Sequence, residues 1–135
     1  MITLTVLGQA YTATGRAQEA IPLLQEAIAL QEKAAAFVDR AWWVRTLGEA
    51  YRRTGQLEEA EASARSALEF ARRHGEAGQE AWTYALLGDI AADRGDRDGA
   101  GRHFEDSERR AVNLEMQPLA AYSRRRLETL RSEAG

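Results

Sequence analysis

Apolar residues return every three to four positions through long stretches of this chain, and short polar turns separate the stretches. Over 38–53 they are Val44, Leu47, Ala50 and Tyr51; over 78–93 they are Trp82, Leu86, Leu87, Ile90 and Ala91. Residues at that spacing share one side of an α-helix. The pattern predicts helices over 2–14, 16–35, 38–54, 56–74, 77–94, 96–115 and 117–133, with Pro118 in the first turn of the last. Gly15, Gly55 and Gly95 each follow one helix and stand just before the next, where a left-handed cap ends a helix at least cost. Acidic residues then open the following helix, as in Gly55-Gln56-Leu57-Glu58-Glu59, where they complement the helix dipole.

The stretches are copies of one another, about 40 residues apart and without gaps. Leu7-Gly8 recurs as Leu47-Gly48 and Leu87-Gly88; Ala20 recurs as Ala60 and Ala100. Ala27 recurs as Ala67 and then becomes Ser107, while Trp42, Trp82 and Tyr122 share one column. A glycine inside a helix costs about 1 kcal/mol relative to alanine, so Gly48 and Gly88 point to a close approach by a neighbouring helix. Ala20, Ala60 and Ala100 are expected to supply the small surface opposite. Each unit thus reads as helix, glycine turn, antiparallel helix. The expectation is an all-α chain forming an α-α superhelix, a single domain over 1–135. Its three helix-turn-helix repeats span about 1–36, 37–76 and 77–116, and a capping helix follows at 117–133.

Composition narrows the function classes. Ala, Leu, Glu, Gln and Arg dominate, and there are 2 prolines in 135 residues, which agrees with helices throughout. A net charge of −3 argues against a globally basic nucleic-acid binder. With no cysteine, thiol chemistry and Cys-based zinc sites are excluded, and a reducing cytoplasm suits the chain. No apolar run approaches the roughly 20 residues of a membrane span, and Met1–Leu7 lacks the basic region of a signal peptide.

The run Leu7-Gly8…Tyr11…Ala20…Leu24…Ala27, repeated as Leu47-Gly48…Tyr51…Ala60, resembles the tetratricopeptide repeat signature. The third copy keeps Leu87, Gly88, Ala100 and Phe104. The family's early Trp column holds Leu4, Val44 and Tyr84 here, and its late Pro column holds Glu32, Arg72 and Val112. The long period resembles the arrays of bacterial maltose-regulator-type activators and signal-transduction ATPases. The resemblance implies a protein-interaction scaffold rather than an enzyme, without a cofactor, taking a protein or peptide in a concave groove lined by the first helix of each pair. The lining columns are then Trp42, Arg45, Glu49 and Arg52 in the second copy, Trp82, Asp89 and Asp93 in the third, and Tyr122 and Arg125 in the capping helix. Aromatic and Arg side chains are the usual binding hot spots. Trp42, Trp43 and Trp82 also suit plain packing between helices. Glu49 and Asp89 would repel a carboxylate, so a clamp for a partner's C-terminus is not expected.

Other signals have bland readings. Asp96, Asp98, Gly99 and Glu105 imitate a calcium loop, but Arg94 holds the first ligand position. His74 and His103 have no nearby metal-ligating partner in the sequence. Arg124-Arg125-Arg126 offers a short phosphate-binding run, which Glu128 and Glu133 dilute. In 117–133, Leu119, Ser123, Leu127 and Leu130 form one stripe and the rest is polar, as a terminal helix needs. Ile2, Leu4, Val6 and Leu7 make the first helix apolar on more than one side, which fits a homodimer through it or a preceding repeat. The alternatives to a binding module are a structural self-association or spacer module, and a nucleic-acid-binding regulator segment.

Overall fold

Left-handed backbone ends helix after helix in this chain. A computed structural model describes residues 10–13, 15–34 and 39–134, all but the turns helical. After a helical stretch at 10–13 come α1 (Ala17–Ala34), α2 (Arg40–Arg53), α3 (Leu57–Arg73), α4 (Ala77–Asp93), α5 (Arg97–Asn113) and α6 (Gln117–Ala134). Their bounds lie within two residues of those read from the periodicity. The helix expected over 2–14, with Ile2, Leu4, Val6 and Leu7, falls mostly outside the described residues.

Gly15, Gly55 and Gly95 have φ of 84°, 79° and 83°, the left-handed conformation that glycine enters without a Cβ penalty. At Gly55 the turn closes twice: Gly55 N–H donates to Arg52 O (3.0 Å) and Gln56 N–H to Tyr51 O (2.9 Å). That pairing satisfies two carbonyls the helix would otherwise leave open. The same two bonds recur at Gly95–Asp96 and at Gly75–Glu76. Asp96 then caps α5, its carboxylate accepting from Gly99 N–H at 3.0 Å. This is the use the fold makes of the acidic run that imitates a calcium loop.

The connection between α5 and α6 repeats the geometry without glycine. Glu115 stands 40 residues after Gly75 and has φ of 58°. Glu115→Gly is expected to raise stability by about 0.5–1 kcal/mol, since the left-handed form costs a side-chain-bearing residue about 1–2 kcal/mol and glycine returns part of that as chain entropy. Urea unfolding at low protein concentration measures it. No gain would mean that the Glu115 side chain stabilises the turn in another way.

The chain forms two compact units, Met1–Phe70 and Ala71–Gly135. In the first, α1 packs on α2 through Ala17, Ala20, Ile21, Leu24, Leu47 and Ala50, with Tyr11, Ile28 and Tyr51 at the edge. Gln25 Nε2 donates to Tyr51 Oη at 2.8 Å across that pair. In α3, Ala60, Ala64, Ala67 and Leu68 are buried.

In the second unit α5 packs against both α4 and α6. The core holds Ala81, Ala85, Ala100, Ala111, Leu119, Ala120 and Leu127 around Phe104, which is fully buried. A methyl group built on Gly88 would lie 2.8 Å from the Phe104 ring. The close approach expected at this glycine therefore exists, but the Phe104 ring fills it, one turn beyond the expected Ala100. Ser107, which breaks an alanine column, is fully buried and donates to Ala81 O at 2.9 Å. Ser123 Oγ in turn donates to Ser107 Oγ at 3.0 Å, so both hydroxyl protons have an acceptor inside the core.

Candidate functional site

Within the first unit, Trp42, Arg45, Glu49 and Arg52 recur at spacings of three, four and three along α2, a single stripe of the helix. Trp42 is half-buried, whereas Trp43 is buried and serves the core. Arg52 grips Glu49 with two bonds, Nε to Oε1 at 2.6 Å and Nη2 to Oε2 at 3.0 Å. Arg53 adds a third, Nε to Oε2 at 3.2 Å, and Nη1 of the same residue donates to Thr12 O at 3.1 Å. Glu49 is thus held in a fork of arginines, a geometry that suits guanidinium–carboxylate pairs.

Arg45 lies one turn before Glu49. Burial pushes its guanidinium down to about 10, and the Glu49 carboxylate opposes that shift. The folded value lies below the ordinary one, so the folded state carries the cost of the buried charge at every pH below about 10 and is relieved as the pH rises through it. Arg45→Met is expected to leave stability unchanged or raise it by about 1 kcal/mol, because an apolar chain of similar volume removes that cost. Thermal and urea unfolding check this. A loss of more than that would show that Arg45 holds α2 in place.

Within the second unit, Trp82, Asp89 and Asp93 form the corresponding stripe of α4. Trp82 is a large apolar side chain left 37% exposed. Asp89 is buried and meets α6: Tyr122 Oη donates to Oδ2 at 2.6 Å and Arg126 Nε to Oδ1 at 3.0 Å. The guanidinium of Arg126 also lies over the Phe104 ring, 5.3 Å from its centroid, and the Tyr122 ring sits 6.4 Å from the same ring. The structure thus brings Asp89 and Tyr122 together. Arg125, on the next face of α6, is exposed, and so is Asp93 at the end of α4.

Arg126 is the participant that the column reading missed. It lies four residues after Tyr122, one helical turn on, and that spacing was the available signal. The three consecutive arginines point in different directions, since neighbours on a helix are about 100° apart. Arg124 Nε donates to Glu108 at 2.7 Å, Arg126 is committed to Asp89, and only Arg125 of the three makes no ion pair among the described residues. A second cluster lies at the start of α4. Glu80 accepts from Arg72 at 3.3 Å and pairs with Arg110 at 3.4 Å; Arg72 also donates to Tyr84 Oη, and Arg110 lies over the Tyr84 ring.

Among the described residues no His, Asp and Glu side chains gather in a group that could hold a metal ion, and no helix is long and apolar enough to cross a membrane.

Antiparallel helix pairs joined by left-handed turns, repeated at one period, define a helical-repeat scaffold. Models of the tetratricopeptide repeat match residues 37–111 and residues 1–35. The chain belongs to the tetratricopeptide repeat family, whose repeats mediate protein–protein interaction and are typically non-catalytic. A search of curated proteins returns no match.

Proposed function

We propose that this chain is a binding scaffold that takes a peptide, a helix or a neighbouring domain of another protein on the α4 stripe of the second unit or on the α2 stripe of the first, in a bacterial cytoplasmic regulatory or assembly system. The observation that carries the reading is Trp82, exposed at the head of the stripe that runs to Asp89 and Asp93. An exposed indole on a helix stripe that also carries charge is the make-up of a binding hot spot. The long period, close to that of the maltose-regulator-type activators, supports the regulatory setting. On this reading the candidate contacts are Trp42, Arg45, Glu49 and Arg52 on the first unit's stripe, and, separately, Trp82, Asp93, Tyr122 and Arg125 on the second unit. Asp89 acts by holding Tyr122 and Arg126.

The arginine run has less to offer a nucleic acid, because Arg126 is held by the buried Asp89 and Arg124 shares its charge with Glu108. The cleanest probes are Trp82→Ala and Arg125→Glu, since both side chains reach solvent. Proteins retained on immobilised wild-type chain from its own cells are to be compared with those retained on each variant. A protein held by the wild type and lost from Trp82→Ala, with helicity unchanged, supports the α4 face. Equal retention by both variants would move the binding surface elsewhere.

A further inference from the structure

We propose that a second copy of this chain docks on the corner where α5 meets α6, in a two-fold symmetric contact. The corner is a hollow of about 650 Å³ whose floor and lips include Val112, Met116, Ala120 and Ala121, with Glu115 and Arg124 at its charged positions. Val112 is 53% exposed, although it is a β-branched apolar residue.

The internal repeat shows what such a surface is for. One period earlier its counterparts are Arg72, Glu76, Glu80 and Ala81, with Gly75 and Tyr84 in the places of Glu115 and Arg124. That earlier surface is covered by a helix. Ser107 of α5 bonds Ala81 O, and Arg110 of α5 pairs with Glu80 and lies over Tyr84. At the corner, the charged Arg72 and Glu80 have become Val112 and Ala120. The copy that no described helix covers is therefore the more apolar of the two; Ala120 and Met116 serve the unit's own core, and Val112 is the large apolar side chain left exposed there. Farther along α6 the equivalence ends: Glu128 stands where Gly88 admits the Phe104 ring. A ring placed as Phe104 is would there meet a glutamate side chain.

Its charges select a second copy. Arg124 spends only Nε on Glu108, which leaves both terminal amino groups of its guanidinium available, and Glu115 makes no ion pair among the described residues. In an isologous contact residue i of one protomer meets residue j of the other, and j meets i. Glu115 and Arg124 on the rim of one apolar hollow then form two identical pairs around the axis. The patch is small beside the roughly 800 Å² per partner of a standard interface, so the association is expected to be weak and concentration-dependent.

The test is the solution mass of the purified chain, measured by light scattering over a wide range of concentration. The mass should rise from monomer toward dimer. Val112→Glu, at an exposed site, should weaken the association at least about tenfold with unchanged helicity. Glu115→Arg alone and Arg124→Glu alone should each weaken it as strongly, because each places like charges at both pairs. An equimolar mixture of these two variants should associate again, since every pair then joins opposite charges. A parent chain that stays monomeric at all concentrations overturns the proposal and leaves the hollow to another protein. A dimer untouched by Val112→Glu places the contact elsewhere, for instance at Ile2, Leu4 and Leu7. A mixture that stays monomeric excludes the two-fold pairing.

Discussion

Replacing Phe104 by alanine is expected to remove about 3–5 kcal/mol of stability from the second unit, the range for truncating a buried aromatic side chain. Phe104 has no exposed surface, and its ring lies against two other helices at once: Gly88 of α4, and Tyr122 and Arg126 of α6. Its loss opens a cavity where three helices meet, and backbone held in regular helices cannot collapse to fill it. Gly88→Ala attacks the same contact from the other side. Its new methyl would stand 2.8 Å from a ring that has no free space to enter, for an expected cost of about 1–3 kcal/mol. The two changes should not add. With the ring gone the methyl has room, so the double variant should be no less stable than Phe104→Ala alone. Urea unfolding of the four proteins measures this coupling, and strict additivity would show that the ring and the glycine do not confront each other.

Asp89→Ala is the second large effect, expected at about 2–4 kcal/mol. The carboxylate is buried and accepts from Tyr122 and Arg126. Removing it strands a guanidinium over the Phe104 ring and a phenol beside it, and stranded polar groups cost more than the pair contributed. Adding Arg126→Met should therefore recover part of the loss, because it removes the charge left without its partner. If Asp89→Ala unfolds with the midpoint of the parent, α4 and α6 are held by apolar packing alone. In that event Asp89 would be available to a binding partner. Equilibrium unfolding decides between the two.

These expectations bear on how the site residues divide. Asp89 accepts from both Tyr122 and Arg126, and Glu49 accepts from Arg52 in the first unit. They shape the stripes more than they reach outward. Trp82, Asp93 and Arg125 are the site side chains that face solvent, which is why Trp82 and Arg125 serve as probes of binding.

From the sequence alone, the order of the helices could be read almost to the residue, because the apolar period of 3.6 and the glycines between stretches are local signals. So could the repeat, since Leu47-Gly48 and Leu87-Gly88 return in frame, and with it the tetratricopeptide family. The left-handed turns at Gly15, Gly55 and Gly95 were legible because φ is a property of one residue. The turn at Glu115 was not, because a glutamate there carries no local sign of positive φ. Side-chain pairing was likewise decided only by the tertiary structure. Column matching places Asp89 and Tyr122 on a binding face, but whether they face a partner or one another depends on the distance between α4 and α6. That distance is set by the Phe104 ring between them, and a contact reaching 33 positions along the chain leaves no trace in a period of three or four.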